Sequence, residues 1–142
     1  MHRKSAKELL SELVQSEDIR QFLSENRGEF LYPMHRYLNL LVEQKRLNKL
    51  DIIRAAQMEK AYGYHIFSGA KPNPSREKLL SLVLAMHLDL EETQEFLRHA
   101  RQPELYPRSP RDAILISAIR KRFTVRETNA LLEQLGERKL TK

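Results

Sequence analysis

Lys60, Ala61, Tyr64 and His65 fall within the segment KLDIIRAAQMEKAYGYHI, residues 49–66, which is closed by Phe67-Ser68-Gly69. In a helix their spacing places all four on one face. That face would carry an ammonium, a methyl, a phenol and an imidazole. Lysine donates to guanine, and an alanine methyl can touch a thymine methyl. Glu59, just ahead, either accepts from cytosine or simply favours a helix N-terminus. Tyr62 has two readings, groove contact or packing on the core. The segment reads as two short helices joined by a tight turn, with these residues on the second. Such a pair lays its first helix across a DNA backbone and inserts its second into the major groove. Asn48 and Lys49, at the start of the first helix, are placed for phosphates, as are Ser68, Lys71 and Arg76 around the following loop.

Other chemistry finds no support. There is no cysteine, which removes disulfides, thiolate metal sites and cysteine nucleophiles and fits a reducing interior. The histidines (2, 35, 65, 87 and 99) lack metal-ligand spacing such as HExxH. Glu91, Glu92 and Glu95 cluster at the start of a capped helix, where acids suit the dipole, so they do not read as a catalytic pair. No phosphate loop, nucleophile elbow or dinucleotide fingerprint is present. The expectation is a protein that is not an enzyme and needs no cofactor or metal.

The elements that must position the face are well punctuated. Ser5 with Glu8 reads as a capping box ahead of Leu9, Leu10, Leu13 and Val14. Ser16 reads as the cap of a second helix bearing Ile19, Phe22 and Leu23, and Pro33 as the opening of a third. Asn48 caps the fourth, and the fifth runs from Glu59 to Ser68 with Gly69 as its stop. Ser75 and the Asp89/Glu92 box open two more. A proline-rich connector, residues 102–110, leads to helices at 112–122 and 125–135, the latter capped by Thr124 with Glu127. These divide the chain into an N-terminal helical arm (1–32), a core (33–100) and a connector with a C-terminal helical hairpin (101–142). The chain is expected to be all-α and to lack internal repeats. The longest apolar run, Leu79 to Leu88, is too short for a bilayer and no signal-peptide pattern opens the chain, so a cytoplasmic protein with no membrane partner is expected.

Formal charge is +6 overall and unevenly spread. Residues 33–76 carry eight basic and three acidic side chains, and residues 77–100 carry two and five. Residues 101–142 carry ten and five, so the excess falls on the paired helices and on the C-terminal part, which suits a polyanionic partner. Arg120-Lys121-Arg122 either grips phosphate or forms a solvated, dipole-favoured helix end, and Arg111-Asp112 reads as a local ion pair. Helix 112–122 is apolar almost all round. Through Ile114, Ile116 and Ile119 it either meets a second copy, giving a homodimer, or fills a crevice in its own chain.

Residues 37–93 resemble the lambda-repressor/Cro-type (XRE-like) helix-turn-helix family of bacterial and phage regulators. Tyr37-Leu38-x-x-Leu41 is similar to its first helix, residues 48–56 to the second and residues 59–67 to the recognition helix. Pro74-Ser75, Leu79-Leu80 and the stretch from Leu88 to Thr93 are similar to the last two. IFSG, NPSREKLL, LEETQ, LYP and RDA are closer still to small Gram-positive-type regulators with extra terminal helices. The resemblance implies a lambda-repressor-like five-helix core and sequence-specific binding of double-stranded DNA by a transcriptional regulator. The alternative is an antitoxin-like or adaptor module that keeps the fold and binds protein.

Five departures from the family pattern stand out. Ile53 stands where a small residue is usual, and Gly63 where a branched aliphatic is usual. These places face one another, so the two changes are expected to offset each other in volume. Gln57 occupies the turn position commonly held by Gly, where φ is positive. The loop before Pro74 is one residue longer than usual, and Phe67 replaces a frequent acidic residue.

Overall fold

The computed structural model describes residues 4–142. Nine α-helices and no strands occur among the described residues. The chain divides between Leu31 and Tyr32 into two compact units. No helix of the described residues is long and apolar enough to cross a membrane.

The first unit holds α1 (Ala6–Gln15), α2 (Ile19–Glu25) and a 3-10 turn (Arg27–Glu29). Ser5 accepts from the Glu8 N–H as expected. Ser16 does not cap α2, however. It ends α1, and the Asp18 carboxylate takes the cap by accepting from the Arg20 N–H. The nearer anion, two residues later, displaces the hydroxyl from that role.

The second unit holds α3 (Met34–Gln44), α4 (Lys49–Ala55), α5 (Lys60–Ser68), α6 (Arg76–Ala85), α7 (Leu90–His99), α8 (Pro110–Arg120) and α9 (Val125–Gln134). Helix α3 packs on α5 and α7, and α4 on α5 and α6. The α8–α9 pair closes the bundle, α9 against α6 and α8 against α7. Residues 101–142 therefore share one core with residues 33–100: Leu105, Leu115, Ala118, Val125, Leu132 and Leu140 are buried with Leu38, Ile66 and Phe96. Pro33 precedes α3 as its cap, and α8 begins two residues before Asp112, with Pro110 in its first turn behind the Ser109 cap.

Four helix-to-helix connections repeat one turn. After α3, α4, α6 and α8 the chain passes through a left-handed residue: Arg46 (φ 54°), Gln57 (φ 60°), His87 (φ 52°) and Arg122 (φ 58°). In each case the next residue is apolar and donates its N–H back into the helix. Leu47 bonds the Val42 carbonyl, Met58 that of Ile53, Leu88 that of Val83 and Phe123 that of Ala118, at 2.9 to 3.1 Å. This is the Schellman closure with its hydrophobic seal. Gln57 thus takes the conformation expected of a glycine, at a cost of about 1 kcal/mol. A sequence search for repeats misses the device because only the backbone and one apolar position recur.

Rings lock α3 to α7. His99 is buried between Tyr32 and Tyr37, with centroids at 4.3 and 4.6 Å. Its Nε2 lies 3.1 Å from Glu95 Oε1 and its Nδ1 3.2 Å from the Tyr32 carbonyl. Burial, with Glu95 and Glu92 nearby, pushes the Tyr37 phenol above its ordinary range.

The tightest crossing is α4 on α5. A Cβ added at Gly63 would lie 2.5 to 2.8 Å from Ile53 Cγ1, Cγ2 and Cδ1, so the expected juxtaposition is present. Ile53 is 1% exposed and cannot swing aside. Gly63→Ile should therefore overpack the crossing and cost about 1–3 kcal/mol. Removing a mid-helix glycine returns somewhat less than 1 kcal/mol of that. Ile53→Ala should cost about 2–5 kcal/mol. Denaturant melts of both variants and their double should give a coupling of about 0.5–3 kcal/mol, with the double mutant more stable than additivity predicts. Additive losses would deny the contact.

Candidate functional site

Helix α5 divides sharply into two faces. Gly63, Ile66 and Phe67 are buried, whereas Lys60, Ala61, Tyr64, His65 and Ser68 are exposed, with Glu59 exposed at the N-cap. The five exposed positions follow helical spacing and form one continuous row. Tyr62 does not join it. That ring is half-buried against the core, with Lys78 Nζ 5.5 Å from its centroid. Of its two readings the structure favours packing, because one hundred degrees per residue carries position 62 away from the row.

A side chain that the sequence did not single out, together with Gly69, holds the end of α5 in place. Asn39 on α3 donates Nδ2 to the Phe67 carbonyl at 2.7 Å and to the His35 carbonyl at 2.7 Å. It thereby satisfies one of the orphan carbonyls at the end of α5. Gly69 follows with φ 87°, and a Cβ there would lie 2.9 Å from the His35 ring. Both constraints are long-range pairings between α3 and the end of α5. An asparagine in a helix carries no local sign of which carbonyl it will reach.

The proposed phosphate ligands fall into two groups. Asn48 caps α4 by accepting from the Asp51 N–H. Lys49 is half-buried, with Nζ 5.5 Å over the Phe67 ring. Ser68 and Lys71 are exposed beside the end of α5, with the Ser68 hydroxyl donating to the His65 carbonyl at 3.2 Å. Ser68 thus belongs to the exposed row and Lys71 follows it in the chain, whereas Asn48 and Lys49 stand at the start of α4. Arg76 is different. Its guanidinium meets the Asp112 carboxylate at 3.2 and 3.3 Å and the Pro103 and Glu104 carbonyls at 3.3 and 3.4 Å. It serves as a strut between α6 and α8.

Asp112 in turn accepts from the Tyr106 N–H at 2.9 Å, so it does not form the local pair with Arg111. Arg111 instead reaches Glu77 on α6 at 3.2 Å, and Arg138 adds a second cation at 3.4 Å. Burial by itself would raise the Glu77 carboxyl. Its backbone hydrogen bond and the two arginines overcome that and hold it below its ordinary 4.5. Beyond these pairs, the Leu140 N–H bonds Asn129 Oδ1 at 2.8 Å and Thr141 Oγ1 lies 3.1 Å from Gln57 Oε1. The last residues thus touch the turn between α4 and α5.

Ile119 is buried, and Ile114 and Ile116 are half-buried against the same core. Helix α8 thus packs these isoleucines against the core of its own chain, Ile114 and Ile116 only in part. Among the described residues no group of three or more His, Asp or Glu could hold a metal ion. No family model, no curated protein and no solved structure matches this chain.

Two predictions concern the strut. Asp112→Ala leaves Arg76 without its counter-charge and the Tyr106 N–H without its acceptor and should cost about 3 kcal/mol in denaturant melts. Glu77 has a lowered folded pKa, so its contribution is complete above the unfolded value and is lost as pH falls through the folded one. Glu77→Gln should therefore be less stable than the parent at neutral pH, and the two should converge below the ordinary carboxylate range. A gap that persists in acid would show that the charge is not responsible.

Proposed function

We propose that the protein binds double-stranded DNA in a sequence-specific way, as a transcriptional regulator does, by laying α5 in the major groove. In this reading α3 to α7 form a lambda-repressor/Cro-type helix-turn-helix core, α4 crosses the phosphate backbone and α5 is the recognition helix. The observation that carries it is the exposed row Lys60, Ala61, Tyr64, His65 and Ser68 on a helix whose opposite side is clamped by Ile53, Asn39 and the core. A rigid helix presenting donors, a methyl and an aromatic edge suits base readout. Residues 33–76 carry eight basic and three acidic side chains, and those basic groups other than the occupied Arg76 supply the attraction to phosphate. Lys60, Tyr64 and His65 are the polar base-reading candidates, with Glu59 and Ala61 beside them. Asn48, Lys49, Ser68 and Lys71 are the phosphate candidates. Arg76 is left out because its fork is already occupied.

Selection from genomic fragments by the purified protein, followed by anisotropy titrations at several salt concentrations, tests this. Lys71→Ala should weaken binding to all sequences alike and flatten the log–log salt slope by about 1. Lys60→Ala should instead cost about 1–3 kcal/mol at the preferred site and little elsewhere. Absence of fragment binding at low salt would reject the DNA reading in favour of the protein-interaction module.

A further inference from the structure

The N-terminal unit buries little of its own apolar surface. Helix α1 has no buried residue, and in α2 only Phe22 is buried. Leu10 and Val14 are 60% and 75% exposed, and Ile19 and Leu23 54% and 47%. Each pair is spaced by four residues and so lies on one helix face. Of eleven exposed large hydrophobics among the described residues, seven fall between Leu10 and Leu31, and the rest are scattered. What holds the hairpin is mostly polar. Lys4 Nζ meets Glu12 at 2.8 Å and Asn26 Oδ1 at 2.8 Å, and Phe22 meets Phe30 edge-on at 6.2 Å.

Helices of ten and seven residues are marginal in isolation, and units below about 40 residues usually need another source of burial. We infer that the apolar face of the α1–α2 hairpin is a homodimer interface, two hairpins from two copies closing into a four-helix bundle. The size fits. Seven partly exposed side chains at somewhat under 100 Å² each give on the order of 600 Å² per copy, or about 1,200 Å² when two meet, within the range of specific interfaces. Exposed apolar area of this order lies at the upper end of what monomers carry and often marks an interaction site.

The rim selects a second copy as the occupant. An isologous interface must complement itself, so its border needs both signs of charge. The exposed charged side chains of the two helices and their flanks include Lys7, Arg20 and Arg27 together with Glu8, Glu12, Glu17, Asp18 and Glu25. Two antiparallel hairpins can pair such mixed charge on itself, whereas a partner of single sign would meet repulsion from part of it. Helix α8, the other candidate for self-association, already has its isoleucines against its own core. The inference stands on the hairpin alone and does not need the DNA reading.

Sedimentation equilibrium of the full chain at micromolar concentration should show a dimer. Leu10→Lys combined with Val14→Glu changes only exposed positions, so the unfolding of the second unit should be preserved while self-association weakens by at least about tenfold. A parent that stays monomeric overturns the inference and leaves the face to the chain's own core or to another protein. A dimer indifferent to the double substitution overturns it as well. Because the chain has no cysteine, a second measurement avoids any folding defect in that variant. Val14→Cys should crosslink to dimers with a flexible bis-maleimide, whereas Tyr106→Cys, exposed in the other unit, should not. Equal yields from the two positions would count against the hairpin.

Discussion

Ile53 seated against Gly63 is the contact on which the presentation of α5 depends. A helix of nine residues has little stability of its own and takes its orientation from what it packs on. With no Cβ at position 63, α5 can approach α4 closely enough for a fully buried isoleucine to fill the crossing. The rotation of α5 about its axis follows from that approach. It turns Ile66 and Phe67 inward and the row from Lys60 to Ser68 outward. Asn39 and the left-handed Gly69 fix the far end of the same helix. The surface chemistry of α5 is thus set by a hydrocarbon contact on its hidden side.

The second unit applies one turn four times, and that economy shapes its core. Each turn places an apolar residue, Leu47, Met58, Leu88 or Phe123, directly after a left-handed residue and directly before an N-cap. Helices end and restart within a few residues, so the chain reverses direction while its apolar seal stays in the core. Left-handed arginine, glutamine and histidine are each less comfortable there than glycine. Their long side chains remain usable, as the Gln57 contact with Thr141 illustrates.

Charge serves two roles that sequence position does not distinguish. Lys60 and Lys71 are exposed, whereas Arg76 and Arg111 reach across to α8 and α6 to hold Asp112 and Glu77. A basic stretch read from composition counts all four alike. Only the exposed ones remain available to a polyanion, which removes part of the apparent attraction of the loop after α5.

Much of the architecture was legible in the residues because it depends on local physics. The caps Asn48, Ser75, Asp89 and Thr124, the stop at Gly69 and the helical stripes of α3 and α7 all act within a few residues, and the observed helices follow them. The split faces of α5 were legible for the same reason, and the Ile53–Gly63 pairing was expected from the family resemblance, in which the two volumes offset each other. Other features answered to partners distant in sequence. Asp18 took the cap from Ser16, Arg76 turned to Asp112 rather than outward, and Asn39 reached the Phe67 carbonyl. The isoleucines of α8 met their own core, and the apolar face of α1 and α2 was left bare. By itself the sequence determined the helices and the apolar side of most of them, since periodicity and capping are properties of the local chain. Tertiary structure decided which polar groups are occupied and which apolar faces stay open, because those depend on which helices meet.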